Sequence, residues 1–95
     1  MTCYEIVRHS FGHSTERKLH MNLEKAVQWA CDDLYLTYMK GFATFEPNKL
    51  KEMGFKNEVN FEEEKEALRS QLLSKGSCKG PGYTFYKLNI LEVEE

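Results

Sequence analysis

The chain has 95 residues, 41% hydrophobic and 13% aromatic, and its 13 Lys+Arg against 15 Asp+Glu give a net charge of −2. That is one domain's worth of chain with apolar material for a core. It excludes a disordered tail, a generally basic nucleic-acid arm and an acidic solvating segment. In so short a chain burial and chain entropy nearly cancel, so a deep enclosed pocket would consume much of the interior. A protein of this size is expected to act through its surface.

Thr2–His9 alternates, with Tyr4 and Ile6 on one side and Cys3, Glu5 and Val7 on the other, which predicts a strand. Ser10–Ser14 has turn chemistry. Thr15–His20 alternates again and predicts either the return arm of a hairpin or an irregular loop. Asn22 is a helix N-cap, and Leu23, Ala26, Val27, Ala30, Cys31, Leu34 and Tyr38 follow with helical spacing. Gly41 is expected to end this helix as a C-cap glycine, leaving Phe42–Phe45 as a short apolar linker. Pro47 suits the first position of a short helix over Asn48–Met53, stopped by Gly54. Asn60 and Glu63 form a capping-box pattern before a helix with Phe61, Lys65, Leu68 and Leu72 on one face, with Ala67 and Leu73 beside it, and Gly76 closes it. Ser77–Gly82 is a loop by composition, and Tyr83–Val93 reads as a long strand. The order predicts a single α+β domain over residues 1–95. In it a small sheet pairs the first and last strands, antiparallel in preference to parallel, and the helices cover one face.

Cys3, Cys31 and Cys78 are odd in number and widely spaced, which argues for reduced thiols and not for a disulfide framework. The alternating, charged Met1–Arg8 is unlike a signal peptide, and no apolar run approaches the ~20 residues of a membrane helix. The expectation is a cytoplasmic protein with no membrane contact and no cofactor.

Two features point to binding. The first helix is apolar nearly all round: outside its main arc lie Trp29, Tyr35, Leu36 and Met39, interleaved with Lys25, Gln28, Asp32 and Lys40. The stripe Trp29, Asp32, Tyr35, Leu36 and Met39 is either covered by the Phe42–Phe55 segment or is a partner surface anchored on Trp29. The second is a basic concentration on an acidic protein. His9, His13 and His20 share one stretch with Arg8, Arg17 and Lys18, and the span from Ala67 to Leu91 holds Arg69, Lys75, Lys79 and Lys87 but no acid. Antiparallel terminal strands would set Arg8, His9, His13, Arg17 and Lys18 against Lys75, Lys79 and the Gly80–Gly82 turn, as an anion-binding patch. Tyr83, Phe85 and Tyr86 would offer stacking surfaces there.

Metal and catalytic readings are weaker. His9-x3-His13-x6-His20 with Cys78 supplies four candidate ligands, but a structural zinc site shows tight pairs on both sides and only one is present. Cys78 between lysines and glycines has some expected thiolate character, with His9 or His13 as a base. Lys75–Gly82 has the glycines of a phosphate loop but not its Gly-Lys-Ser/Thr ending, and it follows a helix instead of preceding one.

The opening Met1–His9, with its Tyr-x-Ile-x-Arg strand, and the Leu23-Glu24-Lys25-Ala26 helix start resemble the first third of many small proteins of phages and mobile elements. That resemblance implies a class that acts by occupying a host complex, as anti-CRISPR and anti-restriction proteins do. It carries over no functional residue. The sequence thus predicts a non-enzymatic, anti-CRISPR-like binding protein that inhibits or modulates a host macromolecular complex through protein contacts. The alternatives are a nucleic-acid-binding accessory protein using the basic patch and a homodimeric structural protein burying the outer stripe of the first helix.

Overall fold

The computed structural model describes residues 1–10, 15–56 and 58–94. It has four strands, β1 (Thr2–Ser10), β2 (Thr15–His20), β3 (Ser77–Lys79) and β4 (Thr84–Glu92), and three helices, α1 (Leu23–Thr44), α2 (Pro47–Glu52) and α3 (Phe61–Lys75). The strands form one antiparallel sheet in the order β2-β1-β4-β3, so the first and last long strands pair along the sheet's centre. This is the expected α+β architecture, and Thr15–His20 is indeed a return arm. The turn expected at Ser10–Ser14 lies, from Phe11 on, outside the described residues.

The period-two pattern decides which face is buried. Ile6 and Tyr86 point toward the helices and join Ala26, Val27, Ala30, Leu34 and Tyr38 of α1 and Leu68 and Leu72 of α3 in one core. Asn22 starts α1 by accepting the amides of Glu24 (2.8 Å) and Lys25 (3.3 Å) on Oδ1. Asn60 starts α3 in the same way through the Glu63 amide, and Gly76 ends it in the left-handed conformation with its N–H on Leu72 O.

Gly41 does not end α1. The helix runs on to Thr44, so Phe42–Thr44 are helical and not a linker. The stop comes from Phe45 and from Glu46, whose extended backbone suits the residue before Pro47. Gly41 is instead a contact point: a Cβ there would lie 2.9 Å from Phe55 Cε1 and 3.2 Å from Leu50 Cδ2. Its lack of a side chain lets α2 and Phe55 seat on α1.

Part of the expected loop is also a strand. Ser77–Lys79 forms β3 on the edge of β4, with Cys78 opposite Tyr86. Three residues among glycines and a proline carry no periodicity of their own. Their pairing is set by the position in which α3 delivers the chain.

Candidate functional site

The helices cover one face of the sheet and leave the other open. Register assigns the open face. Across the sheet, Thr15, His9, Phe85 and Lys79 make one row, and Arg17, Val7, Lys87 and Ser77 make the next. Leu19, Glu5 and Asn89 follow, and Cys3 and Leu91 come after them. Directly opposed residues share a face, so these side chains form one surface.

That surface has two halves. In the upper half the His9 and Phe85 rings, on the two central strands, lie 6.3 Å apart at a 38° tilt. Phe85 is 39% exposed. Arg17, Lys87 and Lys79 stand around the pair. Val7 is only 2% exposed between Arg17 and Lys87, whose aliphatic stems are suited to shielding it. The one acid in these rows, Glu5, accepts from Asn89 Nδ2 (2.9 Å) and loosely from Arg17 (3.5 Å). The lower half is apolar, with Leu19 and Leu91 exposed and Cys3 Sγ 3.7 Å from the exposed Met21.

The structure divides the predicted basic patch three ways. His9, Arg17 and Lys79 share the open face. Phe85 joins them, as expected of a stacking surface there, whereas Tyr86 is fully buried on the helix side. Lys87 joins them too, which the patch drawn from sequence omitted because only the register shows that it points the same way. Arg8 points to the helix side, where its guanidinium bonds Asp33 Oδ1 (2.5 Å) and Glu16 (2.7 Å). Lys18 lies 3.7 Å from that same Glu16. Lys75 is far from the His9 row, because the adjacent Gly76 pairs with Leu88, three residues along β4 from Phe85. His13 lies outside the described residues.

Arg8 belongs to a buried polar network that sequence reading did not find. Tyr86, fully buried, donates its hydroxyl to Asp33 Oδ2 (2.7 Å), and Thr37 Oγ1 donates to Asp33 O (2.8 Å). One carboxylate on α1 therefore takes a donor from each central strand and pins α1 over the sheet. The signal available was Asp33 itself, an acid on the otherwise apolar arc of a helix.

The outer stripe of α1 is also divided. Trp29 is half-buried against the core, and Tyr35 packs edge-on to Phe61 (4.9 Å) with Lys65 Nζ over its ring. Asp32 accepts from Gln28 (2.8 Å). Leu36 and Met39 stay exposed. The predicted cover is partly present: Phe42 and Phe55 reach Tyr38 instead, on the inner arc.

Cys78 lines a cleft of about 390 Å³ with Tyr38, Lys56 and Glu64. Burial pushes its thiol up from the ordinary 9.0, and Glu64 adds to this, which is the opposite of thiolate character. Burial likewise raises Cys31 and Tyr38. It raises Tyr86 most strongly, helped by the hydrogen bond to Asp33. These groups hold their protons longer folded than unfolded. Their stabilising contribution is complete below the unfolded values of 9.0 and 10.0 and is lost as pH rises through the folded ones. The melting temperature is therefore expected to fall steadily above about pH 9. Tyr86→Phe should flatten the upper part of that decline, and an equally steep decline in Tyr86→Phe would refute its assignment to Tyr86.

Among the described residues no group of three or more His, Cys, Asp or Glu is placed to hold a metal ion. No helix among the described residues is long and apolar enough to cross a membrane. The fold and surface define a class: a two-layer α+β domain with an open, half-cationic sheet face. No family model, curated protein or solved structure matches the chain.

Proposed function

We propose that this is a non-enzymatic binding protein that engages an anionic surface of a larger macromolecular complex through its open sheet face, and so inhibits or modulates that complex. The observation that carries the reading is the His9–Phe85 ring pair on the central strands, set among Arg17, Lys79 and Lys87. Cations gathered on one face of a protein of net charge −2 give it a direction of approach to negative partners. An aromatic among them adds apolar contact of the kind that anchors interfaces. The phage-like opening strand supports a host complex as the target, in the manner of anti-CRISPR proteins, and three buried free thiols fit a reducing cytoplasm.

A second reading, direct binding of single-stranded nucleic acid, is favoured by the same rings. An exposed aromatic on a sheet, bordered by lysines, is the arrangement on which bases stack while phosphates are neutralised.

The test is affinity capture from the native host with the wild type and a Lys79→Glu/Lys87→Glu variant, beside titration with labelled oligonucleotides at two salt concentrations. The charge reversal is expected to reduce the retained partner about tenfold or more, equivalent to at least ~1.4 kcal/mol. A Leu36→Ala/Met39→Ala variant is expected to retain it. Equal retention by the charge-reversed variant would show that the open face is not the contact surface. Oligonucleotide binding that weakens steeply with salt would select the second reading.

A further inference from the structure

Below the row of Glu5 the open face turns apolar. Cys3 stands opposite Leu91, and its Sγ reaches Met21 Sδ at 3.7 Å. Val93 donates its N–H to Met1 O (2.8 Å), which carries the same β1–β4 register two residues further and sets Met1 and Val93 on this face. Leu19, opposite Glu5, completes the patch. Cys3 is buried at its centre, and the other five are exposed, from 38% at Leu91 to 65% at Leu19. The helices lie against the opposite face, so no element among the described residues covers these side chains. The uncovered face of an antiparallel sheet is ordinarily its polar one. A contiguous apolar patch there marks a contact surface.

We propose that the occupant of the whole face is an amphipathic helix of a protein partner, laid along β1 and β4. Its acidic side chains lie at one end over Arg17, Lys79 and Lys87, and its apolar ones lie at the other over Leu19, Met21 and Leu91. The inference rests on the anionic contact proposed above and adds the second half of the same site. Three features of the face select this occupant. The first is charge. The cations gather at one end, whereas the acidic end of the chain, Glu92 and Glu94, borders the other. A ligand anionic along its whole length, such as a nucleic-acid strand, is repelled there, and one that is acidic at one end and apolar at the other is not. The second is backbone chemistry. The peptide groups of β1 are already paired with β2 and β4, so the face offers none to a ligand. An extended peptide laid on it would bury its own N–H and C=O groups unpaired, but a helix pairs them internally. The third is span. The Val7–Lys87 row and the Cys3–Leu91 row are four residues apart, about 13 Å. Roughly nine helical residues cover that distance. Met1 and Met21 add flexible thioethers that adapt to the shape of an apolar partner.

A displayed library of random peptides about 16 residues long, enough for some four helical turns, is sorted on the wild-type protein. Enriched sequences are expected to carry an Asp/Glu block and, roughly nine residues away, a block of large apolar residues. One enriched peptide, synthesised with a label, is then titrated against the wild type, Lys79→Glu/Lys87→Glu and Leu19→Ser/Leu91→Ser. It is expected to gain helical circular dichroism on binding and to bind each variant about tenfold or more weakly. All four substituted side chains are exposed, so the fold is expected to persist. Weakening by the lysine variant alone leaves the anionic contact standing and overturns this inference. Weakening by the leucine variant alone removes the cationic contact, and both readings with it. A peptide weakened by neither variant, one that binds without gaining helicity, or a library that yields no enriched sequence also overturns it. Oligothymidylate binding that falls with salt and is unchanged in Leu19→Ser/Leu91→Ser, with no peptide enriched, assigns the face to nucleic acid instead. Composition and helicity are read on the wild type, so the test holds even if a variant folds poorly.

Discussion

Asp33→Ala is expected to destabilise the protein by about 3 kcal/mol or more, the cost of breaking a buried charge pair by removing one partner. Two strong donors converge on this carboxylate: the Arg8 guanidinium from β1 and the Tyr86 hydroxyl from β4. Removing it takes the carboxylate acceptor from a hydroxyl on a fully buried ring, and leaves a mostly buried guanidinium with Glu16 alone. Glu16 cannot compensate, because it is itself partly exposed and shared with Lys18. The loss exceeds that of the surface pairs, such as Lys49 with Glu52, each of which contributes less than ~1 kcal/mol. Urea unfolding of Asp33→Ala beside Tyr86→Phe measures it. Tyr86→Phe deletes one donor and leaves the Arg8 pair intact, so its cost should be smaller, about 1–2 kcal/mol. Equal, small losses for both would mean that apolar packing alone holds α1 on the sheet.

The second large effect is expected at Leu72. It is 1% exposed, in the core formed by α1, α3 and the sheet, and its neighbour Leu73 is 48% exposed. Leu72→Ala removes buried methyl groups and leaves a cavity, for a loss of about 2–5 kcal/mol. Leu73→Ala should change stability by no more than ~0.5 kcal/mol. The same unfolding experiment on the two variants checks the pair. A comparable loss at Leu73 would mean that α3 is rotated from the orientation described, or that Leu73 is covered in an assembly.

The two effects differ in how far sequence reading reaches them. Leu68 and Leu72 follow helical spacing, and that period alone predicts a shared buried face. The sequence also placed Ala67 and Leu73 beside that face, and both are exposed. A helical period gives the direction of a stripe but not its width, which depends on how closely the neighbouring elements pack. Asp33 has no period to announce it. An acid becomes acceptable on a buried arc only when donors arrive from elsewhere, here from residues 25 and 53 positions away. Gly41 failed as a stop signal for a related reason. Glycine serves helix ends and close approaches alike, and only the arrival of Phe55 distinguishes the two.

The candidate surface divides along the same line. That histidines, arginines and lysines concentrate in two stretches is visible in the chain. Which of them share a face is not. Arg8 and His9 are neighbours in sequence, yet one closes an internal network and the other lies on the open face, since adjacent strand residues point to opposite sides. Lys75 and Lys79 are four positions apart, and β3 carries only Lys79 to the row of His9 and Phe85.

By itself, then, the sequence determined the three helices and the two long strands, their order, and the direction of the core face of each long helix. These rest on local periodicity and capping, which act over a few residues. The tertiary structure alone decided the strand register, the extension of α1 past Gly41 and the sorting of the charged residues. Each of these depends on contacts between distant segments, whose free energy exists only once the whole chain is packed. The net charge of −2 is the plainest case: as a sum it excludes little, and only the fold shows that Arg17, Lys79 and Lys87 stand together on one face.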